Sequence, residues 1–261
     1  MYPNAETPDS AQRFYDQLAS EYHLIFADWR HSVRWQGEVL DKLIREEIGE
    51  AQVSILDCSC GIGTQAIGLA LRGYTVTGTD ISTQAINRAR REAELFGVSI
   101  NFGVADIRDL EKRVSGSFDV VILCDNSLPH LLNDDDLEVA ARSIRSKLRD
   151  NGLFLASIRD YDKILKERAK STLPQVFDDA EGKRIIFQVW DWQGDGRNHL
   201  FHLFILRETH GDWKVSRYSS QYRGLCRKEL TEILPRAGFT GIRWLMPEET
   251  GYYQPVVIAR K

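Results

Sequence analysis

The chain lacks any run approaching the 18 or so consecutive apolar residues that a membrane-crossing helix needs. Its N-terminal MYPNAETPDS is polar, without the apolar core of a secretory signal. No membrane partner is therefore expected, and the cytoplasm is the expected location. Cysteine is scarce: Cys58, Cys60, Cys124 and Cys226. The pair around Ser59 is too tight for a usual zinc pair and no second pair follows, so no metal is expected. Scattered thiols of this kind suit small buried positions in a reducing compartment. Basic excess is also missing, with 34 Lys and Arg against 38 Asp and Glu, a net charge of −4 and a pI near 5.9. That balance gives no electrostatic support for binding phosphates, so no nucleic acid partner is expected. Internal repeats and low-complexity tracts are absent too.

What is present is a length of 261 residues, enough for one large α/β domain or a domain with a sizeable insertion. The organising stretch is Val53 to Thr64, an apolar run ending in Asp57 and followed by a turn carrying Gly61 and Gly63. A helical pattern from Gln65 to Arg72 completes a strand, turn and helix. Glycines at such a turn let the backbone approach a ligand, and the helix N-terminus aims free N–H groups into the same space. This is the geometry of a nucleotide site. Gly61-Ile62-Gly63-Thr64-Gln65-Ala66 also fits the loose G-x-G-x-x-A pattern of dinucleotide enzymes.

Helical periodicity covers Phe14 to Ile48, ahead of the first strand, where it can cap the sheet. A second strand runs from Tyr74 to Thr79 and ends at Asp80, 19 residues past Gly61. An acid there can accept hydrogen bonds from ribose hydroxyls; it can equally cap the helix that follows, a role Ser82 could also fill. Further strands are predicted at 99–104, 118–123 and, after an Asn151-Gly152 turn, 153–158, with a helix over 134–149. Their carboxyl ends gather Asp106, Cys124, Asp125 and Asn126, where open α/β sheets bind ligands. Between Arg159 and Arg223 the runs RIIFQVWDW, HLFHLFILRE and WKVSRYSSQY, separated by QGDG and THGD, predict an antiparallel sheet able to act as a lid. A helix over 227–237 and strands over 240–245 and 253–259 close the chain. The expected organisation is a helical cover over 1–50, a ligand-binding domain over 51–159 and 224–261, and an inserted sheet over 160–223.

In chain order, ILDCSCGIGT, TGTDIS, ADIRDL, FDVVILCDN and LRDNGLFLAS resemble the five ordered motifs of class I S-adenosylmethionine-dependent methyltransferases. The resemblance implies a Rossmann-like, seven-stranded α/β sheet with an antiparallel last strand, plus the inserted β lid. It also implies S-adenosylmethionine at the strand ends. Gly61 and Gly63 would border its methionine part, Asp80 its ribose, and Asp106 and Ile107 its adenine, with Asp57, Cys58, Ile81 and Cys124 around them. A nicotinamide enzyme would share the glycines and Asp80 without requiring Asp106.

YHLIFADW, Asn126-Ser-Leu-Pro-His130-Leu and Ser157-Ile-Arg159-Asp-Tyr161-Asp are similar to stretches of glycine and glycine/sarcosine N-methyltransferases. That likeness implies a small amino-acid acceptor whose carboxylate Asn126 and Arg159 hold, with Tyr222 in the tyrosine-rich strand beside it. Tyr22, Trp29 and Arg34 are then candidates for cofactor contact, although aromatics in that region also serve as packing. Arg159 offers a planar fork for a carboxylate; its alternative is an ion pair with Asp160 or Asp162. His130 is the nearest candidate general base, with a structural role as its alternative. Two rival functions stay open: methylation of another amine, hydroxyl or ring nitrogen, and cofactor binding without catalysis.

Overall fold

The computed structural model describes residues 10–49, 53–179 and 182–261. The first helices are α1 (Ser10–Leu18) and α2 (Trp29–Ile48). Asp28 caps α2 by accepting from the His31 amide at 3.0 Å, and Gly49 ends it at φ 78°. Alternating units follow: β1 (Ser54–Asp57), α3 (Thr64–Ala70), β2 (Thr75–Asp80), α4 (Thr83–Phe96), β3 (Asn101–Val104), α5 (Leu110–Arg113), β4 (Phe118–Leu123), α6 (Asp134–Ser146) and β5 (Leu148–Ser157). The chain then enters α7 (Tyr161–Glu167), β6 (Gln175–Asp179), β7 (Gly182–Trp192), β8 (Asn198–Thr209) and β9 (Asp212–Arg223). It returns through α8 (Arg227–Arg236), β10 (Thr240–Leu245), α9 (Pro247–Thr250) and β11 (Val256–Arg260).

Two sheets result. One has seven strands in the order β10-β11-β5-β4-β1-β2-β3, with β11 antiparallel to both of its neighbours and the other pairs parallel. The second is a four-stranded antiparallel sheet, β6 to β9. Both were expected, and the central strands of the first read as unbroken apolar runs because helices cover both faces. The second sheet packs its inner face, including Ile186, Trp190, Phe201, Leu203 and Tyr222, against Phe14, Leu18 and Leu24 of the N-terminal segment. Among the described residues, no helix is long and apolar enough to cross a membrane.

Three features differ from the expectation. The Asn151-Gly152 pair is no turn before β5 but an irregularity within it: the strand starts at Leu148 opposite Phe118 and resumes with Leu153 opposite Val120. Asn151 takes φ 61°, and a side chain at Gly152 would meet the Arg149 carbonyl at 2.8 Å. Helix α6 correspondingly stops at Ser146 rather than Arg149. Neither α7 nor β6 was anticipated; β6 is a mostly exposed edge strand whose sequence QVFDD lacks an alternating apolar face.

Helices α2 and α3 meet through glycine: a Cβ on Gly68 would lie 2.3 Å from the Val33 carbonyl, and one on Gly37 would lie 2.6 Å from the Gly68 backbone. Backbone on both sides cannot give way. Gly68→Ala is therefore expected to lower the unfolding free energy by about 1–3 kcal/mol, the usual cost of overpacking, as read by urea denaturation. A variant as stable as the wild type would mean that the helices separate without loss.

Candidate active site

A cleft opens at the carboxyl ends of β1, β2, β3 and β4. After β1 the chain turns tightly: the Cys60 amide donates to the Thr79 carbonyl at 2.9 Å and the Gly63 amide to the Cys60 carbonyl at 2.8 Å. Gly61, at φ 53°, donates its amide to Asp80 Oδ2 at 2.9 Å, which ties the glycine turn to the tip of β2. Asp80 Oδ1 accepts from the Ser82 amide at 2.8 Å. The cap of α4 is Ser82, whose Oγ accepts from the Ala85 amide at 3.0 Å, so the carboxylate of Asp80 is not used as the cap. Burial pushes Asp80 up to about 6, against the lowering pull of the Ser82 and Gly61 amides.

Asp80, Ile81, Cys58, Gly61, Asp106, Ile107 and Cys124 all line this cleft, as do Tyr22 and His130. Burial pushes the Asp106 carboxyl up, but bonds from the Arg108 side chain and amide outweigh it and hold the group below the ordinary range. Asp57 and Gly63 lie just outside the lining. Gly63 supplies the left-handed residue at φ 96° that starts α3. Asp57 is fully buried, and its Oδ2 has no hydrogen-bond partner among the described residues.

Trp29 and Arg34 depart from the expectation, since neither lines a cavity. Trp29 is buried at the start of α2 and donates from Nε1 to Thr64 Oγ1 at 2.9 Å. The Arg34 guanidinium sits 5.4 Å from the Phe96 ring on the exposed side of the same helix. The packing of α2 on α3, rather than the aromatic and basic character of the segment, sets where these side chains go.

A second cavity of about 780 Å³ adjoins the first, enclosed by the N-terminal segment, the inner face of β6 to β9 and the chain before β11. Arg159, just past β5, enters it with its guanidinium 5.9 Å from the Trp190 ring and 5.7 Å from Tyr222, which also lines the cavity. Its Nη1 donates to Gln188 Oε1 at 3.1 Å. Arg227 takes both Asp160 and Asp162, at 2.8 and 3.3 Å, and among the described residues no carboxylate pairs with Arg159. Asn126 lines neither cavity. Its Oδ1 accepts from the Arg159 amide at 3.0 Å and its Nδ2 donates to the Tyr161 hydroxyl at 3.1 Å, so it fixes the arginine's backbone.

His130 has both ring nitrogens engaged, Nε2 with the Tyr15 hydroxyl at 3.0 Å and Nδ1 with Ser220 Oγ at 3.4 Å. Burial pushes it down to about 3, which makes it a poor base. Tyr15, Gln65 and Asp125 also line the cleft and were not singled out as site residues. For Asp125 the signal was its place at the end of β4.

Residues 55–152 match the family described as a methyltransferase domain. That segment of the chain is a methyltransferase domain. A glycine/sarcosine N-methyltransferase of Parasynechococcus marenigrum (strain WH8102) is 29% identical over 177 residues, 62% of this chain and 62% of that protein. The chain thus matches less than two thirds of that relative's length. Its counterpart in Halorhodospira halochloris is 24% identical over 228 residues, 77% of this chain and 85% of that protein. Among solved structures, the CcbJ methyltransferase of Streptomyces caelestis superposes with a TM-score of 0.74 at 18% identity, over 95% of this chain and 97% of that one, a likeness of fold.

The neutral His130 of this methyltransferase domain has a measurable consequence. The unfolded chain takes up a proton near pH 6.5 and the folded protein only near 3, so His130 contributes stability that is full above 6.5 and lost as pH falls toward 3. An NMR titration should find its imidazole neutral throughout that window. Denaturation series should show a smaller acid loss in His130→Asn; an imidazole that titrates near its ordinary value would contradict the burial argument.

Proposed function

We propose that the protein transfers a methyl group from S-adenosylmethionine to the amine of a small amino acid such as glycine or sarcosine. The observation that carries this reading is Arg159: a guanidinium without a carboxylate partner, in an aromatic-walled cavity beside the cofactor cleft. A guanidinium grips a carboxylate with two parallel hydrogen bonds, and the cavity's low polarity strengthens them. Asn126 then acts one step back, by fixing the backbone from which Arg159 reaches. Tyr222 contributes the wall, stacked on Phe201 at 4.3 Å.

The residues of the first cleft suit the cofactor. Asp80 presents a carboxylate where ribose hydroxyls could donate, Asp106 and Ile107 stand at the end of β3 for the adenine, and nothing lies within 4 Å of a Cβ placed on Gly61. Cys58, Ile81 and Cys124 add close, weakly polar walls, and Tyr22 closes the side toward the second cavity. The cofactor supplies an activated methyl group on a sulfonium. The protein therefore has to position the amine and exclude water, the work of the aromatic enclosure.

Size favours a second reading. A cavity of about 780 Å³ lies in the range of about 300–1,000 Å³ that takes drug-sized ligands. Phe177, Ile186, Trp190, Phe201 and Leu203 give it apolar walls. A larger amine, hydroxyl or ring nitrogen carrying an acidic group for Arg159 fits that volume.

The direct experiment is methyl transfer from labelled S-adenosylmethionine to glycine, sarcosine and dimethylglycine beside a panel of larger amines and phenols. Turnover on the first group supports the amino-acid acceptor; silence there with turnover on larger molecules selects the second reading. Arg159→Ala should raise the acceptor KM about 10- to 100-fold, the loss of one or two charge-assisted hydrogen bonds, and leave cofactor affinity nearly unchanged. Asp80→Ala should do the reverse. Because the ionised carboxylate is the better acceptor for hydroxyl donors, wild-type cofactor affinity should hold above pH 6 and weaken as pH falls through about 6. A binding curve with no inflection there would remove Asp80 from the ribose role.

A further inference from the structure

Three of the described residues line both cavities: Tyr15, Tyr22 and Asp125. A methyl group passing from the first cavity to the second is transferred where these side chains meet. An amino-acid amine is an ammonium ion near neutral pH and has no lone pair to attack with, so some group at that boundary must take its proton. Burial pushes the hydroxyls of Tyr15 and Tyr22 well above their ordinary values, so both stay protonated. His130 is disqualified by its engaged nitrogens and low proton affinity. Asp80 and Asp106 line only the cofactor side, and Asp160 and Glu248 only the other.

We propose that Asp125 is the catalytic base of this enzyme: it holds the acceptor's ammonium group at the boundary between the two cavities and receives its proton. The inference rests on the second cavity being the acceptor's. Asp125 is placed for the task by an unusual backbone, with φ 60° followed by φ 68° at Asn126. The Asp125 amide donates to Ser157 Oγ at 2.9 Å, and the Asn126 amide to the Ser157 carbonyl at 3.2 Å, so the turn is locked to the end of β5. The carboxylate is aimed from the other side: the Tyr252 hydroxyl donates to Oδ1 at 2.7 Å, and the Tyr253 hydroxyl donates to the same oxygen. Arg159 faces the same cavity, so an acid and a base stand ready for the two ends of a zwitterion.

The chemistry balances with these parts. The N–H bond of the ammonium breaks and its proton bonds to an Asp125 oxygen. The freed lone pair forms the N–C bond to the methyl carbon, and the electrons of the broken C–S bond stay on sulfur as a neutral thioether. The proton leaves Asp125 to solvent when products depart. Burial pushes the Asp125 carboxyl up, which makes it a stronger base than an exposed aspartate, while Tyr253, Tyr252, Gln65 and Arg159 pull it down. Cys124, Tyr22 and Tyr252 face it as groups kept neutral by burial, the half-exposed Tyr253 faces it through its hydroxyl, and the buried Asp57 is a further carboxylate that interacts with it.

The test uses the amine that the wild type turns over in the acceptor panel. Asp125→Asn should lower kcat about 100-fold near pH 7, with melting temperature unchanged and cofactor affinity within about threefold. The deficit should shrink as pH rises toward the amine's own pKa. Calorimetry should find that this variant, unlike the wild type, releases a proton to buffer when the amine binds. Tyr253→Phe, which removes one donor from the carboxylate, should move the acid limb of the kcat/KM profile to higher pH, and it decides the matter if Asp125→Asn does not fold. A kcat near wild type, a deficit equal at every pH, an acid limb that stays in place, or a wild type that methylates no amine would each overturn the assignment. If the accepted amine has no carboxylate and Arg159→Ala uses it as well as the wild type does, the amino-acid reading falls instead, and Asp125 is judged on that amine.

Discussion

The second cavity depends on one buried cation. Arg184 of β7 is almost wholly enclosed, and an unpaired guanidinium there would be prohibitively costly. Its donors are all directed: Nε to the Leu24 carbonyl at 3.0 Å, Nη2 to the carbonyls of Phe26 and Ala27 at 2.8 and 3.2 Å, and Nη1 to both oxygens of Asp179 at 2.7 and 2.9 Å. The Phe177 ring covers it, with its centroid 4.7 Å from the guanidinium carbon. Three carbonyls of the turn after α1 are thereby bound to a strand some 160 residues later in the chain. Arg207 and Tyr218, which both hold Glu21, repeat the link farther along the same sheet. These ties seat the N-terminal segment on the inserted sheet, and that segment supplies one wall of the aromatic enclosure around Arg159.

Charge is arranged unevenly across the site. The first cleft presents Asp80 and Asp106, with Asp57 buried beneath the glycine turn and Arg108 paired with Asp106. The second cavity sets Arg159, against the Trp190 and Tyr222 rings, among the carboxylates of Asp125, Asp160 and Glu248. Such an arrangement suits a molecule carrying positive charge on the first side and one carrying charges of both signs on the second, and partly desolvated walls make that preference stronger than it would be in water.

The sequence was informative wherever local chemistry decides structure. The apolar runs gave the first four strands nearly to the residue, and Asp80 and Ser82 divide between strand tip and helix cap because each is the right residue at its own position. It was silent where tertiary packing decides. Trp29 sits on the core side of α2 because α3 lies against that face, and no periodicity names the neighbour. β6 is held by pairing with β7 rather than by a pattern of its own. Asn126 and Arg159 are adjacent in space as expected, yet the amide serves the arginine's backbone, a division of labour that only coordinates reveal. Asp125 stood in plain view at the end of β4, but whether its side chain faces one cavity, both or neither depends on a left-handed residue that an aspartate rarely signals.

The first helix and the turn after it lend Tyr15 and Tyr22 to both cavities at once. One segment therefore walls both cavities. The two cavities thus share one wall, and a substitution in the segment before the first strand would reshape both at once.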